Sequence, residues 1–461
     1  MTNLGYTPEE PIAAIATALA PGALGIVRGS GKNCIELLAE KFSRPKALKE
    51  AEGNTLVYGW IVDGKEKIDE VMVGVYRGPK SFTGEDMVEI FCHGGTSVVK
   101  SIHSLLLKNG FRQAERGEYT FRGYINGKSD LTKAEAIREI IDSKTDVSRG
   151  HAAGRLAGEL FEEINDIKKL VVDTLAAIEV EIEYPEDEET ISDAFDHEKI
   201  LLAKKRLQSL VNSWGAEKLY QDGARVVLCG KTNAGKSSLF NSLLKEERAI
   251  VSDIEGTTRD YLECWASFDG IPVRLFDTAG LRETEDYVEA VGVSRTKDLS
   301  KEADLIFYLV DSDCGLADED KEFILAEKNI PLILVWNKCD KVDDKVESIN
   351  KFQSDKIPNV FVSAKKGTGI GDLIAASKNI LNSQQTGDKE HAGLGTERQK
   401  VAVQEALERI SHALEAEEDH YSLDAVVQDL EDCLDSLGEV TGEITPDDVL
   451  ESIFSHFCVG K

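Results

Sequence analysis

No stretch of this chain approaches the roughly eighteen consecutive apolar residues of a membrane-spanning helix. The first residues also lack the charged-then-apolar layout of a secretory leader. Basic residues are scarce: 54 Lys and Arg stand against 84 Asp and Glu, a net charge of −30. A surface that negative repels phosphate backbones, which disfavours general nucleic-acid binding and leaves RNA to a local basic patch or a basic partner. None of the eight cysteines forms a Cys-x-x-Cys pair, and no Cys/His cluster has zinc spacing. Cys34, Cys92, Cys229, Cys264, Cys314, Cys339, Cys433 and Cys458 are scattered, as expected of thiols in a reducing cytoplasm. No internal repeat is visible. What remains is a chain of 461 residues, 41% hydrophobic and 30% charged, which suits a folded protein of about three domains.

Residues 1–125 mix β-like runs (Gly25–Arg28, Thr55–Val62, Val71–Tyr76) with Gly- and Pro-bearing turns and one amphipathic helix, Val98–Lys108. This predicts a small α+β domain. From about Ser129 the texture turns helical, over Thr132–Asp146 and Leu156–Val180. An acidic stretch from Glu179 to Glu198, broken by Pro185, precedes more helix over Glu198–Leu219. Between Ala224 and Leu381, apolar runs of buried-strand length alternate with helical segments, which argues a mostly parallel sheet covered on both faces. Asp269-Gly270 reads as a hairpin turn, so one strand pair is antiparallel. After a polar linker, Asn382–Gly395, helical pattern returns over Glu397–Glu417, Ser422–Leu437 and Asp447–Phe457. The expectation is an α+β domain over 1–125 and an all-helical domain in two parts, 126–222 and 382–461. An α/β domain over 223–381 is inserted between those parts.

Within the insert, Gly230-Lys231-Thr232-Asn233-Ala234-Gly235-Lys236-Ser237 fits the phosphate-loop pattern G-x-x-x-x-G-K-[ST]. It follows a strand and opens a helix, so backbone N–H groups and the helix N-terminus face the phosphates. Lys236 suits the β- and γ-phosphates, Ser237 suits Mg2+, and Ser238 follows in the same turn. Asp277-Thr278-Ala279-Gly280 ends a second apolar strand, where Asp277 can reach Mg2+ through water and Gly280 can offer its N–H to the γ-phosphate. Asn337-Lys338-Cys339-Asp340 chooses the base, because the Asp340 carboxylate accepts two hydrogen bonds that guanine offers and adenine does not. Ser363-Ala364-Lys365 suits a backbone N–H to the guanine carbonyl oxygen. Between these motifs, Thr258 is the candidate switch residue for Mg2+ and the γ-phosphate. The nucleotide-contacting stretch there covers Ser252, Asp253, Ile254, Glu255, Gly256, Thr257 and Thr258. Four motifs in this order establish GTP binding. The hydrolytic residue is less plain. Leu281 stands where many GTPases place a water-orienting Gln, which leaves Arg282, Glu283, Glu285, Asp286 and Glu289 as candidates.

With Asn at the fourth loop position, Leu281, and an insertion within a helical domain, the chain resembles the bacterial tRNA-modifying GTPase family MnmE, also called TrmE. The N-terminal runs Ser81–Asp86, His93-Gly94-Gly95, Gly117-Glu118-Tyr119-Thr120 and Asn126-Gly127-Lys128 look like family signatures, as does the tail Phe457–Lys461. The resemblance implies a homodimer that works in a heterotetramer with a flavin-containing partner, MnmG, on the wobble uridine of certain tRNAs. FAD is expected on that partner and not on this chain. A tetrahydrofolate one-carbon unit would be held by Arg28, Glu89, Lys128 and Lys461. Hydrolysis would depend on K+, held by Asn233 with backbone groups of Ser252, Ile254 and Thr257. Glu289 aligns with the family's water-orienting glutamate. Lys231-Thr232 in place of Arg-Pro, and Ser252 in place of Thr, depart mildly from the family.

From the residues alone, Arg28 and Lys128 read as ordinary surface cations and His93 as a turn residue. The main rival function is a regulatory GTPase of ribosome assembly, which predicts a basic RNA-binding appendage that the acidic flanks do not supply. A second is a dimeric scaffold that never turns its nucleotide over. Gly460 and Lys461 do not fit a lipidation box at Cys458. Cys458 is then either an inert thiol or, as the resemblance implies, a functional one near the folate; the Lys461 ammonium would favour its thiolate and the terminal carboxylate would oppose it.

Overall fold

The computed structural model describes residues 10–183, 195–246, 262–277, 303–325, 330–341, 357–383, 393–419 and 423–461. The chain is multidomain, with an α+β N-terminal domain, a helical domain and an inserted α/β domain. Two units divide it: Met1–Arg138 with Phe161–Asp196 and Glu408–Lys461, and Glu139–Leu160 with His197–Leu407. No helix among the described residues is long and apolar enough to cross a membrane.

In the first unit, β1 (Ile12–Ile15), β2 (Leu24–Ser30), β3 (Thr55–Asp63), β4 (Glu66–Tyr76), β5 (Met87–His93) and β6 (Arg112–Gln113) pair in the order β3-β4-β5-β2-β1-β6. Every pair is antiparallel except β1 with β6. β1, β5 and β6 add to the strands expected from the sequence. One face of the sheet is buried: Val71, Val73 and Val75 alternate along β4 and pack with Val27 and Ile90. Helices α1 (Cys34–Ala39), α2 (Pro45–Lys49) and α3 (Thr96–Lys108) cover that face. On α3, Val99, Ile102, Leu105 and Leu106 recur at helical spacing and supply the contact.

α4 (Glu118–Ile125) explains two of the sequence signatures physically. Its Arg122 is fully buried and donates to Glu85 at 2.9 Å and to Glu118 at 2.9 Å. Glu118 also accepts from Arg112 at 2.5 Å and from the Glu115 N–H at 2.8 Å. Ser30 Oγ sits 2.7 Å from Thr83 Oγ1 and donates to Glu85 at 2.8 Å. Burial opposes the charge on Glu118, but Arg112 and Arg122 outweigh it and hold its carboxyl below the usual range. A depressed folded-state value gives stability that is present above the unfolded value and lost as pH falls through the folded one. Glu118→Gln should therefore cost about 3 kcal/mol at neutral pH, since it leaves buried Arg122 with Glu85 alone and Arg112 with Glu10 alone as carboxylate partners. The gap to wild type should close as the pH drops below the carboxylate range. Urea unfolding of both proteins from pH 7 to pH 3 checks this, and a gap independent of pH would refute it.

Helical structure continues through α5 (Leu131–Asp142), α6 (Asp146–Ala157), α7 (Glu159–Glu183) and α8 (His197–Asp222). The sequence pattern suggests one helix over Thr132–Asp146, but α5 stops at Asp142 and a new helix begins after Thr145. Thr145 Oγ1 accepts the Ser148 N–H at 3.2 Å, and Ser148 Oγ accepts the Thr145 N–H at 3.2 Å. This reciprocal cap restarts the helix.

The second unit contains β7 (Ala224–Gly230), β8 (Leu262–Phe268), β9 (Ile271–Asp277), β10 (Leu305–Asp311), β11 (Leu332–Asn337) and β12 (Asn359–Phe361). Their order is β12-β11-β10-β7-β9-β8, parallel except for the β8–β9 hairpin. The hairpin turns at Asp269-Gly270, both at positive φ as the sequence predicts. The unbroken apolar runs serve two cores. Val226, Leu228, Phe307 and Val335 face one side, while Val227, Cys229, Tyr308 and Trp336 face the other. Helices α9 (Lys236–Glu246), α10 (Asp318–Leu325) and α11 (Ile370–Ser383) belong to this unit. The chain ends in α12 (Glu397–Glu418), α13 (Leu423–Thr441) and α14 (Asp447–Ser455). Within the first unit, Phe454 of α14 packs edge-on against Phe121 at 5.2 Å, and Val459 bridges to Arg116.

Candidate functional site

The C-terminal ends of the parallel strands lie side by side along one edge of the sheet, the edge at which open α/β sheets bind ligands. Gly230 ends β7, Asp277 ends β9 opposite Leu228, Asp311 ends β10, and Asn337 ends β11 opposite Asp311. The phosphate loop crosses from β7 to α9. Its Lys236 ammonium folds back over the loop, donating to the carbonyls of Gly230 at 2.7 Å and Lys231 at 2.9 Å. Asn233 lies at φ 63 and Gly235 at φ 96. Gly235 has no room for a side chain, because a Cβ there would run into the Asn337 amide. Ser237 and Ser238 are exposed in the first turn of α9, and a hydroxyl there is the kind of oxygen donor a hard cation takes. Lys231, a departure noted in the sequence, pairs with Glu319 at 3.3 Å and Asp320 at 3.7 Å.

The base-reading motif is wired to the same loop. Asn337 is 1% exposed; its amide donates to the Ala234 carbonyl at 2.8 Å and accepts the Ala364 N–H at 3.1 Å. Lys338 donates to the Asn233 carbonyl at 2.7 Å and to Asp311 at 2.7 Å. Burial opposes the Asp311 charge, but the Lys338 ammonium outweighs it and holds the carboxyl below its usual range. Sequence reasoning missed Asp311. Its only signal is a carboxylate closing an apolar strand. Ser363 Oγ donates to Asp340 at 2.7 Å, and this bond holds the Asp340 carboxyl below its usual range. At neutral pH Asp340 is therefore an acceptor only. Ala364 is thus tied to the phosphate loop through Asn337, and Asp340 is tied to Ser363 beside it.

A second cluster lies in the N-terminal domain. Arg28 on β2 donates to Glu89 on β5 at 2.6 Å and to the Gly460 carbonyl at 2.8 Å. Tyr76 donates to the other Glu89 oxygen at 3.1 Å. Arg28 Nε is buried with no hydrogen-bond partner among the described residues, so an acceptor from outside is what this guanidinium lacks. Burial and the neighbouring Arg28 charge push the Lys461 ammonium below its usual range. Arg28, Glu89 and Lys461 are therefore one group, suited to an anionic ligand with a donor. Lys128 stands apart, exposed beside Gly84, and among the described residues no hydrogen bond or ion pair links it to the other three. Cys458 is exposed, and the tail turns there, with the Lys461 N–H donating to its carbonyl at 3.3 Å. His93 is exposed and held by Asp69 at 2.7 Å.

Ser252, Asp253, Ile254, Glu255, Gly256, Thr257, Thr258, Thr278, Ala279, Gly280, Leu281 and Glu289 lie outside the described residues, as does the side chain of Asp277.

Comparison with known proteins bears on the whole length. A family model described as the MnmE helical domain matches residues 131–458, and one described as the GTP-binding protein TrmE N-terminus matches residues 11–128. The tRNA modification GTPase MnmE of Treponema denticola is 52% identical over 469 residues, covering 99% of each chain. Proteins of the same description from Treponema pallidum and Borrelia recurrentis are 41% and 42% identical, again over 99% of each chain. With its phosphate loop, base-reading motif and N-terminal cluster in place over that length, this chain belongs to the MnmE (TrmE) family of tRNA modification GTPases.

Proposed function

We propose that this GTPase hydrolyses GTP in a K+-dependent way. It acts in the cytoplasm as a homodimer that joins a flavin-containing MnmG partner in a heterotetramer, to modify the wobble uridine of certain tRNAs. The observation that carries the reading is the hydrogen-bonded union of the phosphate loop with the guanine-reading strand ends, through Asn337 and Lys338. Lys236 binds and neutralises the β- and γ-phosphates; Ser237, Thr258 and Asp277 would hold Mg2+, which when bound would add further positive charge there. K+ when bound adds positive charge at the phosphates, as an arginine finger does elsewhere. Asn233 supplies a side-chain oxygen for it, with backbone groups of Ser252, Ile254 and Thr257. Glu289 orients the attacking water. Arg28, Glu89 and Lys461 bind a tetrahydrofolate derivative, which when bound supplies the one-carbon unit; the orphaned Arg28 Nε supports this assignment. Lys128, outside that group, reaches the same ligand from the surface, and the Cys458 thiol acts in the uridine chemistry.

Turnover should be at least roughly ten-fold faster in K+ than in Na+, the cation replacing a charge worth far more in other GTPases. Asn233→Ala should erase the difference while the protein still binds GTP. Phosphate release in the two salts is the measurement. Equal rates with wild-type protein would remove K+ from the mechanism.

A further inference from the structure

An inserted sheet is held by two chain connections, and here both meet at one buried guanidinium. Arg155 on α6 is 1% exposed. Its Nη1 donates to Glu217 at 2.9 Å and to the Gly393 carbonyl at 3.1 Å. Its Nε donates to Glu139 on α5 at 2.8 Å, and Nη2 pairs with the same carboxylate at 2.6 Å. Glu217 lies near the end of α8, the helix that runs out into β7; Gly393 lies on the segment that returns to α12. His151 on α6 adds a contact of 3.2 Å to Glu217. Gln221, a turn further along α8, donates to the Gly395 carbonyl at 2.5 Å. The returning segment is pressed against this cluster: a side chain at Gly395 would overlap the Glu139 carboxylate and the Arg155 guanidinium. Burial opposes the charges of Glu217 and Arg155, yet His151 and Arg155 hold the Glu217 carboxyl below its usual range.

A buried ion cluster of this kind is not required for stability as such, because apolar groups of similar shape often serve as well. What it adds is fixed geometry. α5 and α12, which the cluster touches or leads into, run on into the first unit. We propose that Arg155 is a positioning residue that locks the outgoing and returning connections of the nucleotide-binding sheet to α6 and α5. A change of nucleotide state is thereby passed to the helices instead of being absorbed at the two connections. The proposal rests on the reading that GTP turnover drives tRNA modification.

The test uses the full chain with Arg155→Lys, which keeps the charge and loses the fork, and Gln221→Leu, which removes one hydrogen bond and threatens folding least. Both variants should keep wild-type kcat and KM for GTP. Wobble-uridine modification in cells carrying only the variant should fall by at least about five-fold, the lower end of ordinary coupling. A merely structural role would lower the thermal midpoint but leave modification per folded molecule at the wild-type level, and that result overturns the proposal. So would hydrolysis and modification falling together. Lys236→Ala distinguishes the two ways of failing. Modification lost there but normal in both coupling variants overturns only the role of Arg155. Normal modification in Lys236→Ala overturns the parent reading, and this one with it.

Discussion

Lys236→Ala should lower GTP hydrolysis by about 10³-fold or more, the scale of removing a preorganised charge from a transition state. The Lys236 ammonium is held over the phosphate loop by the carbonyls of Gly230 and Lys231. Losing it removes the positive charge without disturbing the strand ends, since the sheet core of Val226, Leu228 and Phe307 does not involve it. The variant should fold with a wild-type thermal midpoint and fail in phosphate release. A rate within about ten-fold of wild type would show that another cation neutralises the phosphates.

Asp340→Asn should weaken GTP binding by about 30-fold or more, because it turns an acceptor of two charge-assisted bonds into a group that presents a donor to guanine's donors. The same variant should gain affinity for xanthosine triphosphate, whose extra carbonyl meets the new amide. The Ser363 hydroxyl donates to Asp340 and can equally donate to an Asn side-chain oxygen, so the local geometry should survive. Titration with labelled GTP and its xanthine counterpart reads both changes. Unchanged GTP affinity would place base reading elsewhere.

The placement of the phosphate loop and of Asn337–Asp340 is legible because each is a short contiguous motif at the end of a strand. Gly230–Ser237 and Asn337–Asp340 need only the local pattern and the buried runs before them to be placed. Asp311 was not legible: its meaning depends on β10 lying beside β11, which brings Lys338 to it. The runs Ser81–Asp86 and Gly117–Thr120 could be recognised as signatures, but their physical work could not. Glu85 and Glu118 are joined only through Arg122, and Ser30 reaches Thr83 from another strand. Arg155 was silent for the same reason, since its partners Glu139, Glu217 and Gly393 are scattered along the chain. The break between α5 and α6 was missed because apolar spacing continues through it, while the Thr145–Ser148 cap that decides it is a local polar signal. Among the proposed folate residues, Arg28, Glu89 and Lys461 come together from β2, β5 and the tail. No spacing in the sequence brings them together.

The central claim, that GTP hydrolysis by this chain drives wobble-uridine modification, is tested most directly by nucleoside analysis of tRNA by mass spectrometry. The tRNA is taken from cells whose only copy of the protein is wild type or Lys236→Ala. Modified wobble uridine present with the wild-type chain and absent with the variant is the expected result. Equal amounts in both would contradict it.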